Sequence, residues 1–152
     1  MVTRTSNGAT LQAREFLFLC EELAFASLDP AIAPPHRKVM WTTLQLHYGD
    51  PAAHFELQPM PARSQIELGL HFEGPLDAND RWAALLADRA HELLAALGPH
   101  WELEAWTASW RRLHRVFPFE ALTRDLAEEV AAVLAAAIRT LGPILAPPLN
   151  EF

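Results

Sequence analysis

The clearest alternation of apolar and polar residues lies within positions 37–73, where it predicts three consecutive antiparallel strands. In the third strand, 65–73, every second residue is apolar and the residues between them are polar or glycine. Side chains point alternately to the two faces of a strand, so this pattern predicts a sheet with one apolar and one polar face. The first strand is predicted at 37–48 and the second around Phe55 and Leu57, with turn-forming residues at 49–52 and 59–63.

Apolar residues spaced three and four positions apart predict three helices around these strands. The first helix is expected at 11–28, where Pro30 ends it. The second begins near Asp77 and ends at Gly98-Pro99, and the last begins at about 119 or 123 and ends at Gly142-Pro143. Two more strands are expected at 101–106 and 110–117, although the second of these segments also suits a helix.

These elements predict an α+β fold in the order α-β-β-β-α-β-β-α. It would contain an antiparallel sheet of about five strands, with three helices packed on one face. A length of 152 residues favours a single domain. We expect an ordered core at about 10–146, with tails at 1–9 and 147–152.

The polar face of the predicted sheet collects histidine and glutamate side chains. Pairing of Tyr48 with Ala53 would place His47 opposite His54, and a second hairpin in compatible register would add residues of the third strand. Imidazole and carboxylate groups arranged in this way can ligate zinc or another divalent ion. The sequence favours a solvated sheet face that holds neither a metal nor another cofactor, and the metal site is the alternative. The candidate metal ligands are His47, His54, Glu56, Glu67 and His71, and Glu73 lies on the same face.

Charge, cysteine content and motifs narrow the classes of function. The chain has 19 acidic and 12 basic residues, and its net charge of −7 disfavours binding to nucleic acids or anionic membranes. Cys20 is the only cysteine, which excludes an intrachain disulfide. The sequence contains no glycine-rich phosphate loop, no His-Glu-x-x-His motif and no Gly-x-Ser-x-Gly motif. It shows no signal peptide and no apolar run that could span a bilayer, so we expect a cytoplasmic protein.

The tryptophan-rich segment 101–115 is the one part of the sequence that is both aromatic and basic. Exposed tryptophan and arginine residues dominate many protein-binding surfaces. Base stacking on tryptophan would also suit single-stranded nucleic acid, but the acidic total argues against it. Alternatively, the tryptophans pack into the core under the last helix. The candidate partner-binding residues are Trp106, Trp110, Arg111, Arg112 and Arg115.

The element order over residues 11–141, the acidic charge and the chain length resemble those of the class I type III secretion chaperones. The resemblance lies in topology and charge, and no sequence motif carries it. It implies a dimer that binds an extended segment of another protein along apolar patches, without catalysis.

The sequence therefore favours a non-enzymatic protein-binding module, expected to be a homodimer that needs no cofactor. Exposed sheet edges could accept a partner strand, and the thin, alanine-rich last helix could accept a partner helix. The alternative is a small metal-dependent or ligand-binding enzyme that uses the histidine and glutamate residues of the polar sheet face.

Overall fold

The computed structural model describes residues 9–146, which form one antiparallel sheet with helices on its apolar face. The predicted tails lie outside the described residues, apart from residue 9. The helices are α1 (Ala13–Ala26), α2 (Leu76–Asp88), α3 (Ala90–Leu97) and α4 (Arg124–Leu145), with a 3-10 turn at Pro61–Arg63. The strands are β1 (His36–Met40), β2 (Thr43–His47), β3 (Ala53–Met60), β4 (Gln65–Phe72), β5 (Glu102–Ala105) and β6 (Arg111–Pro118).

The sheet has the strand order β1-β2-β3-β4-β6-β5, and every neighbouring pair is antiparallel. The register predicted for the first central hairpin is confirmed. Gln45 lies opposite Glu56, which is the register that sets His47 opposite His54. The segment 110–117, which also suited a helix, forms strand β6 beside β4. The mixed fold with an antiparallel sheet is therefore confirmed, but the predicted numbers of strands and helices are too low.

The sixth strand arises because the predicted first strand is in fact a tight hairpin. Met40 pairs with Thr43, so Trp41 and Thr42 form a two-residue turn between β1 and β2. Trp41 adopts a positive φ of 54°, a conformation that residues with a side chain rarely take. The guanidinium of Arg14 donates a hydrogen bond of 2.9 Å to the Trp41 carbonyl and so supports the turn. The alternation of residues in this segment cannot reveal a two-residue turn that carries no glycine or proline.

The fourth helix arises because the predicted second helix is broken at Arg89. This residue has φ −105° and ψ 17°, outside the helical range, and its side chain is paired with Glu92 at 2.7 Å. The change of direction lets Leu86 of α2 and Leu93 of α3 both reach the core, where they are buried.

The predicted end of the last helix at Gly142-Pro143 is also wrong. Helix α4 continues to Leu145 with Pro143 inside it. Proline removes only one hydrogen bond when it lies in the last turn, and burial of Leu141 and Gly142 holds this turn against the core. The start of α4 is fixed by Thr123, whose hydroxyl accepts a hydrogen bond from the Leu126 amide.

Helices α1 and α4 pack against each other and cover the centre of the sheet. Phe16, Leu17 and Cys20 are fully buried, as expected for a helix that is apolar on several sides. Alanine residues keep α4 thin where α1 and the sheet approach it. These residues are Ala127, Ala131, Ala135 and Ala137.

Asn79 ties the start of α2 to two loops. Its amide group accepts a hydrogen bond from the Gly74 nitrogen and donates to the carbonyls of Gly74 and Ser109. The side chain is 2% exposed, so these bonds satisfy a buried polar group. They also fix the loop that carries Trp106 and Trp110.

None of the helices within residues 9–146 combines the length and apolar character needed to cross a membrane.

Candidate metal centre

The tripeptide His-Phe-Glu occurs twice, at 54–56 and 71–73, and the two copies lie side by side in the middle of the sheet. His54 pairs with His71 in the antiparallel ladder of β3 and β4, so a local twofold axis relates the two copies. Both phenylalanines are buried in the core, and strand alternation turns the histidines and glutamates to the opposite face. One nitrogen or oxygen atom from each residue lies within 4.8 Å of the others in the group His54, Glu56, His71 and Glu73, called here the His/Glu cluster.

The His54 ring is held with one nitrogen aimed into this cluster. Its Nδ1 atom lies 2.9 Å from the Pro51 carbonyl oxygen. A carbonyl can only accept a hydrogen bond, so Nδ1 carries a proton and Nε2 is the nitrogen left to bind a proton or a metal ion. Nε2 lies 3.4 Å from Glu56 Oε1 and 3.8 Å from Glu73 Oε1, and it has no hydrogen-bond partner among the described residues. His54 is 3% exposed, and a buried ring nitrogen that faces two carboxylates is unfavourable unless a proton or a metal cation lies between them.

The His71 ring is held between carboxylates on both sides. Nε2 donates a hydrogen bond of 2.8 Å to Glu67, and Nδ1 lies 3.1 Å from Glu73. Burial disfavours the charged ring, but the bonds to Glu67 and Glu73 and the attraction of Glu56 outweigh it and raise the pKa of His71 to about 9. A carboxylate behind one imidazole nitrogen, with the other nitrogen facing a ligand set, is the usual arrangement of a metal-binding histidine.

The Glu56 carboxylate is kept ionised by its neighbours. Burial acts to raise its pKa, but contacts with His54 and Gln45 and the charge on His71 outweigh burial and lower the pKa. The Gln45 side chain donates a hydrogen bond of 3.0 Å to this carboxylate from the neighbouring strand β2. Glu56 can therefore act as a negatively charged oxygen ligand at neutral pH.

The spacing of these groups suits a tetrahedral metal ion. Zinc bonds to nitrogen and oxygen measure about 2.0–2.2 Å, which places two ligand atoms of a tetrahedron about 3.3–3.6 Å apart. The imidazole–carboxylate separations in the His/Glu cluster are 3.1, 3.4, 3.7 and 3.8 Å. One donor atom of each residue lies within 4.8 Å of the others, so the side chains would have to draw together by up to about 1 Å to surround one ion.

Gly69 makes room for the carboxylate that supports His71. Gly69 lies opposite Glu56 in β3 and opposite His114 in β6. A Cβ atom at this position would lie 2.7 Å from the His114 Cβ atom and 2.8 Å from Glu67 Oε1. Because Gly69 has no side chain, Glu67 can extend along β4 over this residue and reach the His71 ring.

The cluster carries more negative than positive charge in a mostly buried setting. Trp106 covers the His71 ring, with 5.5 Å between the ring centroids, and the Arg112 guanidinium stacks on Trp106 at 4.6 Å. Arg112 also lies 3.8 Å from Glu67. The His71 imidazolium and the more distant Arg112 guanidinium face three carboxylates whose side chains are at most 19% exposed. This excess of negative charge favours the binding of a cation. The three carboxylates belong to Glu56, Glu67 and Glu73.

Three of the five predicted metal ligands come together in this cluster, namely His54, Glu56 and His71. Glu67 lies behind His71 rather than among the converging atoms. His47 lies apart from the cluster, because its Nδ1 atom faces the Gly49 carbonyl and its ring stacks on His36. Glu73 completes the group, and the repeated His-Phe-Glu tripeptide is the sequence signal that identifies it.

The predicted partner-binding residues are divided between the two faces of the sheet. Trp106, Trp110 and Arg112 lie beside the His/Glu cluster, with 5.7 Å between the two indole centroids. Arg111 belongs to the helix-covered face and is paired with Asp80 at 2.9 Å. Arg115 also belongs to that face, and its guanidinium stacks on Phe117 at 4.0 Å. These residues therefore do not form one continuous basic surface.

A second group of possible ligands lies at the edge of the sheet, and one of its two carboxylates is already paired with a cation. It contains Glu102, Glu104 and His114. Arg112 donates a hydrogen bond of 3.1 Å to Glu104, and His114 contacts the same carboxylate at 3.2 Å. The Arg112 guanidinium therefore already neutralises the Glu104 carboxylate, which a metal ion would need as a negatively charged ligand.

Comparison of this chain with protein-family models, with curated proteins and with solved structures finds no match.

Proposed function

We propose that this protein binds a divalent transition-metal ion, with zinc as the reference ion. The ion would lie on the face of the sheet that the helices do not cover, called here the open face. The ligands would be His54 Nε2, His71 Nδ1 and the carboxylates of Glu56 and Glu73. Two imidazoles with two carboxylates suit zinc and its neighbours among the divalent metals. The observation that carries the proposal is the buried Nε2 atom of His54, which faces two carboxylate oxygens and has no hydrogen-bond partner in the described part of the chain.

The four donors would fill a tetrahedral shell, which is typical of metal ions that stabilise a fold. Such an ion would join the middle of β3 to the middle of β4 and neutralise the excess negative charge between them. A ligand that binds only the folded state stabilises it by about 2.7 kcal/mol at 100 times its dissociation constant. We therefore expect zinc to raise the melting temperature of the chelator-treated protein.

The test is equilibrium dialysis of the chelator-treated protein against zinc, followed by metal analysis. The wild type should bind one zinc ion per chain, and His54→Ala should lower the affinity by at least tenfold. His47→Ala is the matched control, because it removes a histidine from the neighbouring strand on the same face but outside the His/Glu cluster. This variant should bind zinc as tightly as the wild type.

Absence of stoichiometric zinc binding to the wild type would overturn the proposal, and so would equal losses in the two histidine variants. Circular dichroism in chelator would establish that each variant is folded. Should His54→Ala fail to fold, Glu73→Gln tests the same site at its most exposed ligand. It should also weaken zinc binding by at least tenfold.

The protein-binding function, the homodimer and the cytoplasmic location expected from the sequence stay predictions. The resemblance to type III secretion chaperones also stays a prediction, since no comparison with known proteins supports it.

A further inference from the structure

The two edge strands of the sheet carry opposite charges. On β1, His36 and Lys38 share the open face of the sheet, because they pair with His47 and Gln45 of β2. On β5, Glu102 and Glu104 share the same open face, because they pair with His114 and Arg112 of β6. Arg112 already bonds Glu104, so the exposed Glu102 supplies most of the negative charge of this edge. Neither edge strand has a second neighbour within the described part of the chain.

These charges act against pairing of an edge with its own copy. Two β5 strands paired about Leu103 would place Glu102 opposite Glu104, and like charges directly opposite each other are destabilising. Two β1 strands would bring basic residues together in the same way. Charged edges of this kind protect a sheet against uncontrolled self-pairing. They leave pairing between β1 and β5 of two different copies as the favourable combination.

The geometry of the sheet permits that combination. All neighbouring strands are antiparallel, and the six-strand order makes β5 run opposite to β1. A second copy in the same orientation can therefore add its β5 strand to β1 as an antiparallel neighbour. With Leu103 opposite Arg37, Glu102 lies opposite Lys38, so an acid meets a base on the open face. Glu104 then lies opposite the His36 ring.

A second complementary feature lies at one end of the same pair of strands. Trp41 follows β1, is 86% exposed, and takes the strained positive φ already described. Large exposed aromatic residues and strained backbone positions both mark binding surfaces. In the register given above, Trp41 extends past Val39, the residue that faces Trp101 of the second copy.

An apolar cavity lies at that end of β5. Its volume is about 180 Å³, and all the residues that line it are alanine, leucine or tryptophan. A dry cavity of about 150 Å³ is large enough to bind benzene, so this one can accept much of an indole ring. Leu94 at its rim is 49% exposed and Leu103 is 36% exposed. The lining residues include Leu86, Leu93, Leu94, Leu97, Trp101 and Leu103.

We propose that copies of this chain associate head to tail, with β1 of one copy paired to β5 of the next and Trp41 inserted into the cavity between α3 and β5. The proposal does not depend on the metal site, since neither edge contains a residue of the His/Glu cluster. An interface of this kind joins two different surfaces, so it continues to further copies unless the rotation between them closes a ring.

Sedimentation velocity over a range of protein concentrations, in the presence of chelator, tests the proposal. The wild-type mass should rise above that of the monomer as concentration increases, and added salt should oppose this rise. Lys38→Glu and Glu102→Lys should each weaken association by at least tenfold. Arg63→Glu and Glu120→Lys make the same changes of charge at exposed positions outside both edges, and they should associate like the wild type.

Mixing the two edge variants gives the sharpest result. Lys38→Glu retains a functional β5 edge and Glu102→Lys retains a functional β1 edge. Their mixture should therefore associate far more strongly than either variant alone, because an acid meets a base at every contact between the two variants. Trp41→Ser should weaken wild-type association by at least tenfold, whereas Trp110→Ser should not.

Three results would overturn the proposal. The first is a wild type that stays monomeric up to its solubility limit. The second is a dimer that the charge reversals leave unchanged, because it would use another surface. The third is a mixture of the edge variants that remains monomeric while the wild type associates.

Discussion

Replacement of Glu67 by glutamine should destabilise the metal-free protein in a pH-dependent way. The Glu67 side chain is 5% exposed and accepts a hydrogen bond of 2.8 Å from His71 Nε2. Glutamine has nearly the same shape and can still accept this bond through its amide oxygen. The substitution therefore removes a charge from beside the His71 imidazolium while leaving the packing in place.

The size of the effect follows from the pKa of His71. Burial opposes protonation, but the carboxylates outweigh it and raise the pKa from 6.5 to about 9. A shift of about 2.5 units corresponds to about 3 kcal/mol of net stabilisation of the protonated form. Glu67 makes the largest favourable contribution to this shift, so loss of its charge should cost about 2 kcal/mol. For a domain of this size, that is about 4–8 °C in melting temperature.

The sign of the pH dependence is fixed by the direction of the shift. A histidine whose pKa is raised on folding stabilises the protein fully below its unfolded pKa, and this stabilisation is lost as the pH rises through the folded value. The difference between Glu67→Gln and the wild type should therefore be largest below pH about 6.5. It should shrink as the pH passes about 9, where His71 is neutral in both proteins.

Urea unfolding of both chelator-treated proteins at the two ends of this pH range measures the difference in the free energy of unfolding. Glu128→Gln is the matched control, because the Glu128 side chain is 52% exposed on α4, and it should change stability little at either pH. The reasoning would be refuted by a Glu67→Gln cost that is the same at both ends of the range. A variant as stable as the wild type at the acidic end would refute it too.

Three further predictions concern the support of the site and the core. Gly69→Ala should lower stability by about 1–3 kcal/mol through overpacking, and it should weaken zinc binding because it moves Glu67. Gly142→Ala is the matched control: its Cβ atom would meet nothing within 4 Å, so it should stabilise helix α4. Thermal melts and zinc titrations compare the two variants. Burial raises the pKa of Cys20 to about 12. At pH about 8 the thiol should therefore react with a disulfide reagent only after the protein unfolds, and rapid reaction in the folded state would contradict its burial. Asn79→Ala should cost about 1–3 kcal/mol, because it leaves the partly buried amide and carbonyl of Gly74 without their partner. A melting temperature equal to that of the wild type would contradict this.

The central sheet and its two faces could be predicted because alternation has an unambiguous geometric meaning. In segment 65–73 each residue is assigned to a face by its position alone, and the buried residues Leu68 and Leu70 confirm the apolar face. The register of β2 and β3 followed from the length of the turn between them. The same register brought His54 and Glu56 together with the third strand.

The features that could not be predicted depend on contacts between distant residues. The turn at Trp41 contains no turn-forming residue and is supported by Arg14 of α1. The break at Arg89 lies inside a continuous helical pattern, and the helix continues through Pro143 because packing outweighs one missing hydrogen bond. In each case tertiary contacts override the local preference of the sequence.

The site was predicted in outline, and its errors have a physical cause. Strand alternation places His47 on the correct face, but a face does not determine which way a ring turns. The Gly49 carbonyl turns this ring away from the cluster. The role of Glu67 as a support for His71 depends on the space left by Gly69, a property of three neighbouring strands that a single strand pattern does not contain.

The most direct test of the metal centre is a crystal structure of the zinc-loaded protein, with anomalous diffraction measured on both sides of the zinc edge. We expect one strong anomalous peak between β3 and β4, about 2.0–2.2 Å from His54 Nε2, His71 Nδ1 and an oxygen atom each of Glu56 and Glu73. A zinc peak at another place in the molecule, or a His54 ring that still faces the two carboxylates with no metal between them, would contradict it.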